Sequence, residues 1–555
     1  MTNTLWEKTI GEMLDEVATK FPKKEALISL EKNIRYDYRD FVDHVNKVAK
    51  GLYAIGVKKS DKVAVWATNY PEWIILQFAT AKIGAVLVTV NTNYKTHELK
   101  YLLNQSDSTT LIMSKGTKDV NYVEMIKKLC PTLDYSAPGE LTEESFPFLK
   151  NIIYLEDEQV DGMFNFSQIY EYSEFVSDFE LRVAQKQVTI HDVVNMQYTS
   201  GTTGFPKGVM LTHYNVVNNG KSIGDCMHFS ENDKLCLNVP LFHCFGCVLG
   251  VMASVTHATA MVVVNQFNPI AVMNAIQVER CTAVHGVPTM FISMLNHPQF
   301  NIFNFSSLRT GIMAGSPCPI EVMKQVIEKM NMTEITISYG QTEASPVCTQ
   351  TRVTDSIELR VNTVGKALPN IECKIVDAET GLDLPPNTQG EFCARGYNIM
   401  KGYYKMPEET AAAIDKDGWL HSGDLAVMDE DGYYKITGRL KDMIIRGGEN
   451  IYPKELEELI YTHPQVQDVQ VVGVPHRIYG EVVMACVIPI EDAILTEDEI
   501  KDFVRENVAK HKVPNYVEII DSFPMTASGK IQKFKLREMA IAKYDLTSVD
   551  DIETA

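Results

Sequence analysis

Positive charge is scarce in this chain of 555 residues: 52 Lys and Arg stand against 72 Asp and Glu, a formal net charge of −20. That balance excludes broad electrostatic adhesion to nucleic acid or to an anionic membrane, both of which require a basic surface. An anionic ligand would need a local cationic pocket. Long apolar runs are also missing. The strongest, such as Ala260–Val264, have strand length and fall far short of a membrane span. The first twenty residues hold no apolar core with a small-residue cleavage site, so no signal peptide is read and a cytoplasmic protein is expected. The cysteine count of 11 is odd, and no second CxxC or HxxxH completes a zinc site around Cys244 and Cys247. Those two lie within the apolar run "PLFHCFGCVLGVM", which reads as buried free thiols.

What remains is an ordinary globular composition, 45% hydrophobic and 22% charged. The length calls for about three or four packed units. Ile10, Met13, Leu14, Val17 and Phe21 recur at helical spacing and predict an amphipathic helix. Strand-like Lys62–Trp66, a helix over "NYPEWIILQFATAKIG" with Asn69 as its N-cap, strand Val86–Val90, a helix from Thr96 to Asn104 and strand Thr110–Met113 follow. That rhythm implies a parallel sheet with helices on its faces. Residues 131–162, rich in proline and acidic side chains, read as a surface excursion. Alternation then resumes with a helix capped by Thr212, strand Met261–Val264, helix Asn268–Glu279 and strand Ala283–His285. From about Gly365 short β segments with turn signals take over. A smaller α/β unit begins near Gly438–Lys441, with strands Val469–Val472 and Val482–Ile488. The expected fold is therefore α/β: a large N-terminal domain, residues 1–438, of mixed and parallel sheets flanked by helices with a short β-rich subdomain. A small α+β domain, residues 439–555, follows.

One segment stands apart, "QYTSGTTGFPKGVMLTH" at 197–213. Gly201, Gly204 and Gly208 let backbone N–H groups approach phosphate oxygens without Cβ obstruction. Thr199, Ser200, Thr202 and Thr203 add hydroxyls, and Lys207 adds charge. It does not fit the Walker A pattern, in which glycine, lysine and Ser/Thr are consecutive and open a helix.

"YTSGTTGFPKG" resembles the signature of the adenylate-forming superfamily, which comprises acyl-CoA synthetases, aryl-CoA ligases, peptide-synthetase adenylation domains and luciferases. The family's other motifs follow in order: "YGQTE" at 339–343, "HSGDL" at 421–425, "GRLKDMIIRGGENIYPKELE" at 438–457 and "PMTASGKIQK" at 524–533. The resemblance implies two half-reactions: carboxylate and ATP give acyl-adenylate and pyrophosphate, and a thiol then takes the acyl group. A carboxylate is already ionised at neutral pH, so the first step needs alignment and charge neutralisation rather than a general base.

Carried over residue by residue, Lys530 resembles the catalytic lysine that bridges carboxylate and α-phosphate, whereas Lys533 reads as a turn lysine. Glu343 resembles the Mg²⁺ ligand, with Thr199 assisting; hard oxygen donors suit that ion. Tyr339, with Gly340 and Thr342 beside it, would stack on adenine, and Gly315, Ser316 and Pro317 of "AGSP" would wall the same pocket. Asp424 would accept from both ribose hydroxyls, and Arg439 would add a donor there. Lys441 falls at the family's hinge, about which the small domain is expected to move. Gly447 and Gly448 would let the pantetheine arm of CoA pass. Lys207, with Ser200 to Gly204, would hold the departing pyrophosphate.

"VPLFHCFG" matches the segment that begins the acyl pocket, with His243 beside the substrate carboxylate. Amino-acid adenylation domains carry an aspartate in that segment; its absence, and the lack of an attached carrier domain, favour free CoA as the acceptor. Phe245, Leu249, Pro346 and Val347 are candidate acyl contacts. The phenylalanine at 245, where hydroxycinnamate ligases tend to have tyrosine, tilts against phenolic acids. The overall match is closest to medium-chain fatty acyl-CoA synthetases, with an aryl-CoA ligase as the alternative. ATP, Mg²⁺ and CoA are the expected ligands, nucleic acid is not, and a homodimer is left open.

Overall fold

The computed structural model describes residues 4–117, 120–199, 206–316, 318–446, 449–508, 510–526 and 529–546. Among the described residues two large sheets form the body. In the eight-stranded one, Lys62–Trp66, Val86–Thr89 and Ser108–Met113 pair in parallel, as the alternation of strand and helix implies. The Val193–Thr199 strand joins them in parallel through Val86–Thr89 and turns back antiparallel into Lys207–Thr212. The nine-stranded sheet runs from Lys366–Ala367 at one edge to Ile34–Asp37 at the other, with a parallel centre built from Lys234–Leu237, Ala260–Val263, Ala283–Val284, Thr310–Met313 and Glu334–Gly340.

The helix Pro71–Lys82 explains how the two sheets form one body. Every residue in it except Glu72 is buried, so it is covered all round and lies within the core rather than on it. Its cap differs from the sequence expectation. Tyr70 is the N-cap residue, without a side-chain bond, and Pro71 needs no N–H partner at that position. Asn69 bonds elsewhere. Its side-chain amide donates to the carbonyls of Val239 (3.0 Å) and Val264 (3.1 Å) and accepts from Leu241 N–H (2.9 Å). It thereby secures the loop that leads into the "PLFHCFG" segment. A short polar side chain satisfied by tertiary partners does not need the helix end.

Residues 131–162 also depart from a plain excursion. They contain the strand Asn151–Tyr154, fully buried and parallel to Ser108–Met113. Four residues flanked by proline and acidic segments carry too little periodicity to reveal a strand. By contrast the helix His213–Cys226 begins at a Thr212 capping box, as expected. The eleven cysteines are free, nine of them buried.

Two smaller sheets complete the chain. Strands Ile371–Val376, Gly390–Gly396, Leu420–Met428 and Tyr434–Arg439 form an antiparallel sheet. After the short turn Leu440–Asp442 a separate sheet begins, containing Ile444–Arg446, Glu449–Ile451, Val466–His476, Gly480–Pro489 and Tyr516–Ile519. It has its own apolar cores, one around Ile444, Leu456 and Val483 and another around Val474, Phe523 and Leu536. No helix among the described residues is long and apolar enough to cross a membrane.

Candidate active site

The "YTSGTTGFPKG" segment bridges two paired antiparallel strands, with Thr199 opposite Lys207. A P-loop instead joins a strand to a helix. Ser200, Gly201, Thr202, Thr203 and Gly204 lie outside the described residues, as do Pro317, Gly447 and Gly448. At the loop's far side the Lys207 ammonium sits 5.0 Å from the ring centre of Tyr403. The Tyr403 hydroxyl donates to Glu343 Oε1 (2.9 Å), and Thr199 Oγ1 lies 3.4 Å from the same oxygen. Glu343 projects from the short turn Thr342–Ala344. Both hydroxyls meet the same oxygen of a carboxylate, and carboxylate and hydroxyl oxygens are the hard donors that suit Mg²⁺.

Asp424 lies across the cleft, in the bulged strand Leu420–Met428. It accepts from the Tyr339 hydroxyl (2.7 Å) and pairs with Arg439 Nε (3.2 Å). Burial raises its carboxyl pKa, and Arg439 and Tyr339 oppose that rise. Tyr339 packs edge-on against Phe392, ring centres 5.0 Å apart. The Gly340 backbone passes so close to Pro346 that a Cβ would lie 1.9 Å from the Pro346 carbonyl oxygen. Lys441 is exposed in the turn that follows Arg439.

The small sheet's unit delivers Lys530 into this cleft. Gly529, with φ +78, turns the chain against the helix Pro288–Leu295, where Thr289 Oγ1 lies 3.4 Å from the Gly529 carbonyl oxygen. A Cβ on Gly315 would lie 3.1 Å from Val287, 3.6 Å from Lys530 Cε and 4.0 Å from the Phe245 ring. Gly315 thus lets Lys530 lie close to Val287 and Phe245. Ser316 follows it, half-buried, its carbonyl facing the Cys318 thiol at 3.5 Å. Lys530 is half-buried by surface area but surrounded by protein. Desolvation lowers its pKa and nearby Arg439 lowers it further, while Asp424 and Glu343 act the other way. Lys533, by contrast, ties its own unit together through Glu457 (2.5 Å) and the Val471 carbonyl (3.1 Å).

His243 stands beside Lys530. Burial, with the lysine charge next, pushes its pKa down to about 3. Its Nδ1 accepts from Phe245 N–H (3.1 Å), which puts the ring proton on Nε2 as a donor. From Phe245 the chain runs as a π-helix, Phe245–Met252, buried throughout; such turns recur at functional sites. Phe245 and Leu249 share one apolar cluster with Val347. His285 stacks on Phe245 at 5.9 Å, and its Nε2 meets the Leu249 carbonyl (3.2 Å). Tyr403, Cys244 and His285 escaped the motif reading. Only tertiary pairing brings Tyr403 to Glu343, or Cys244 to 3.7 Å from the buried Thr342 hydroxyl.

Comparison with known proteins places the chain in a family. The AMP-binding enzyme family matches residues 14–404, and the AMP-binding enzyme C-terminal domain matches residues 455–530. The chain belongs to this adenylate-forming family. "Putative acyl-CoA synthetase YngI" of Bacillus subtilis (strain 168) is 53% identical over 98% of this chain and 99% of its own. Medium-chain acyl-CoA ligase ACSF2, mitochondrial, of Bos taurus is 41% identical over 96% of this chain and 88% of its own. Within the superfamily the chain therefore stands close to medium-chain acyl-CoA synthetases. ATP-bound MatB from Rhodopseudomonas palustris shares the fold with a TM-score of 0.83 at 27% identity, over 97% of this chain and 100% of its own. The anthranilate CoA ligase AuaEII in complex with anthranoyl-AMP superposes with a TM-score of 0.85 at 24% identity, over 98% of this chain and all of its own, which supports the fold alone.

Proposed function

We propose that this ligase activates a medium-chain fatty acid with ATP and passes the acyl group to CoA. The observation that carries the reading is the convergence of Lys530, His243, Glu343 and Asp424 beside the buried apolar segment Phe245–Met252. Asp424 and Arg439 hold the ribose and Tyr339 flanks the base. Lys530 and His243 Nε2–H neutralise and orient the acid's carboxylate beside the α-phosphate. One carboxylate oxygen bonds to that phosphorus as its bond to the bridging oxygen breaks, and pyrophosphate leaves toward Lys207. Glu343, with Thr199 near, would hold Mg²⁺, which would supply charge neutralisation on the phosphates. In the second step the thiol sulfur bonds to the acyl carbonyl carbon as the bond from that carbon to the phosphate oxygen breaks; AMP departs and the thiol proton passes to solvent. The first step rests on alignment and electrostatics, which suits a site with cations and hydrogen-bond donors.

Residues 439–555 act as the unit that moves between the two steps, with Lys441 at the pivot. Lys530 must leave before a thiol can approach from the same side. The cytoplasm is the compartment we assign to this chain. An aliphatic acid is favoured over an aromatic one by the phenylalanine at 245 and by the ACSF2 relatives. Pyrophosphate release measured with octanoate, palmitate, coumarate and benzoate, each with CoA, tests the reading. Octanoate is expected to turn over fastest with AMP formed alongside; turnover of the aromatic acids alone would overturn it.

A further inference from the structure

Glu391 is buried, 8% exposed, yet none of the steps above uses it. Its place in the sheet is specific. Glu391 opposes Leu425 and Cys393 opposes His421, so Phe392 alone faces Ser422, Gly423 and Asp424. This is an extended bulge, and bulges beside active sites re-aim side chains. The bulge strips the turn of its ladder partners, and side chains replace them. Ser422 Oγ donates to the Phe392 carbonyl (2.6 Å) and accepts from Asp424 N–H (3.1 Å). Gly423, at φ +70, donates its N–H to Glu391 Oε1 (2.9 Å). The second oxygen, Oε2, meets His421 Nδ1 at 2.8 Å, and His421 Nε2 lies 3.6 Å from Asp415.

We propose that Glu391, braced by His421, is the positioning residue that sets the angle of the Asp424 carboxylate toward the nucleotide ribose. The inference rests on the assignment of Asp424 to the ribose. Without the Glu391 bond the Gly423 N–H is orphaned and the glycine is free to rotate, having no Cβ and no atom within 4 Å of where one would sit. Asp424 then keeps Tyr339 and Arg439 as partners but loses the fixed backbone beneath it. The loss falls on ribose recognition and leaves chemistry at the α-phosphate intact.

The test compares ATP with 2′,3′-dideoxyATP on the full-length protein, by pyrophosphate release and by calorimetric binding. Glu391→Ala is expected to raise KM for ATP about tenfold while kcat changes by less than about threefold, as loss of one charge-assisted hydrogen bond implies. With 2′,3′-dideoxyATP the variant and the parent should agree within about twofold, because no ribose hydroxyl remains to be misplaced. Glu391→Gln, which can still accept from Gly423, should recover most of the ATP affinity. Equal losses on both nucleotides, or an unchanged KM for ATP, would overturn the proposal. If Glu391→Ala does not fold, His421→Phe carries the same comparison, with a smaller but still ATP-selective loss. A parent protein that binds ATP better than the dideoxy analogue but activates no acid would refute the proposed function, and the calorimetric ratio would still decide the role of Glu391.

Discussion

At the scale of single residues the site is governed by what burial does to charge. Lys530 carries a pKa lowered by desolvation and by Arg439. Its ammonium is therefore lost at lower pH than an ordinary lysine's, and adenylation should fall as pH rises toward the alkaline range. His243, pushed down to about 3, stays neutral above about pH 5 and adds no acid limb there. Lys530→Ala should slow adenylation by about 10²–10³-fold, the scale of one lost transition-state donor, while ATP affinity changes by less than about threefold. Lys530→Arg, whose guanidinium keeps its charge, should be slow but free of the alkaline limb. A pH–rate profile of the acid-dependent half-reaction checks both; near-normal adenylation by the alanine variant would contradict the role of Lys530.

At the scale of an element, the strand Val466–His476 carries an ionisable group in an apolar setting. Burial, with the Glu457 carboxylate acting the same way, raises the Asp468 pKa to about 7. The same carboxyl in the unfolded chain titrates near about 3.9. Between those values the folded state holds a proton that the unfolded state has released, so the contribution of Asp468 to stability is greatest below about pH 4 and is lost as pH rises through 7. Asp468→Asn, neutral at every pH, should lessen the fall in Tm between about pH 5 and pH 8 by roughly 5 °C. An identical fall in both proteins, followed by differential scanning calorimetry, would remove Asp468 from the account. The π-helix Phe245–Met252 makes a related point about elements. Its composition announces burial, but an apolar run does not reveal a π-turn, because the register of its hydrogen bonds is set by what it packs against.

At the scale of the molecule the question is how one cleft serves two steps. Gly529 docks by its carbonyl on Thr289, and Lys454 from the same unit donates to the Ile436 carbonyl (2.8 Å). Polar contacts of this kind are consistent with a unit that undocks between steps. Lys441→Pro restricts the backbone at the proposed pivot. It should leave adenylation within about threefold and slow thioester formation by about a hundredfold, read as acyl-AMP accumulating in the presence of CoA. Equal slowing of both half-reactions would place the pivot elsewhere.

The sequence alone determined the family, the order of the motifs, the parallel rhythm of the first sheet and the acidic surface. Each of these is written locally, in residue type and spacing. The helix cap at Thr212 was legible for the same reason. Only the tertiary structure decided what Asn69 bonds, that Asn151–Tyr154 is a strand, and which side chains meet across the cleft. Tyr403 stands 60 residues from Glu343, and Glu391 stands 32 from Gly423. No local pattern encodes contacts at those separations. They arise when two sheets pack and a bulge leaves a backbone N–H that one buried carboxylate must satisfy.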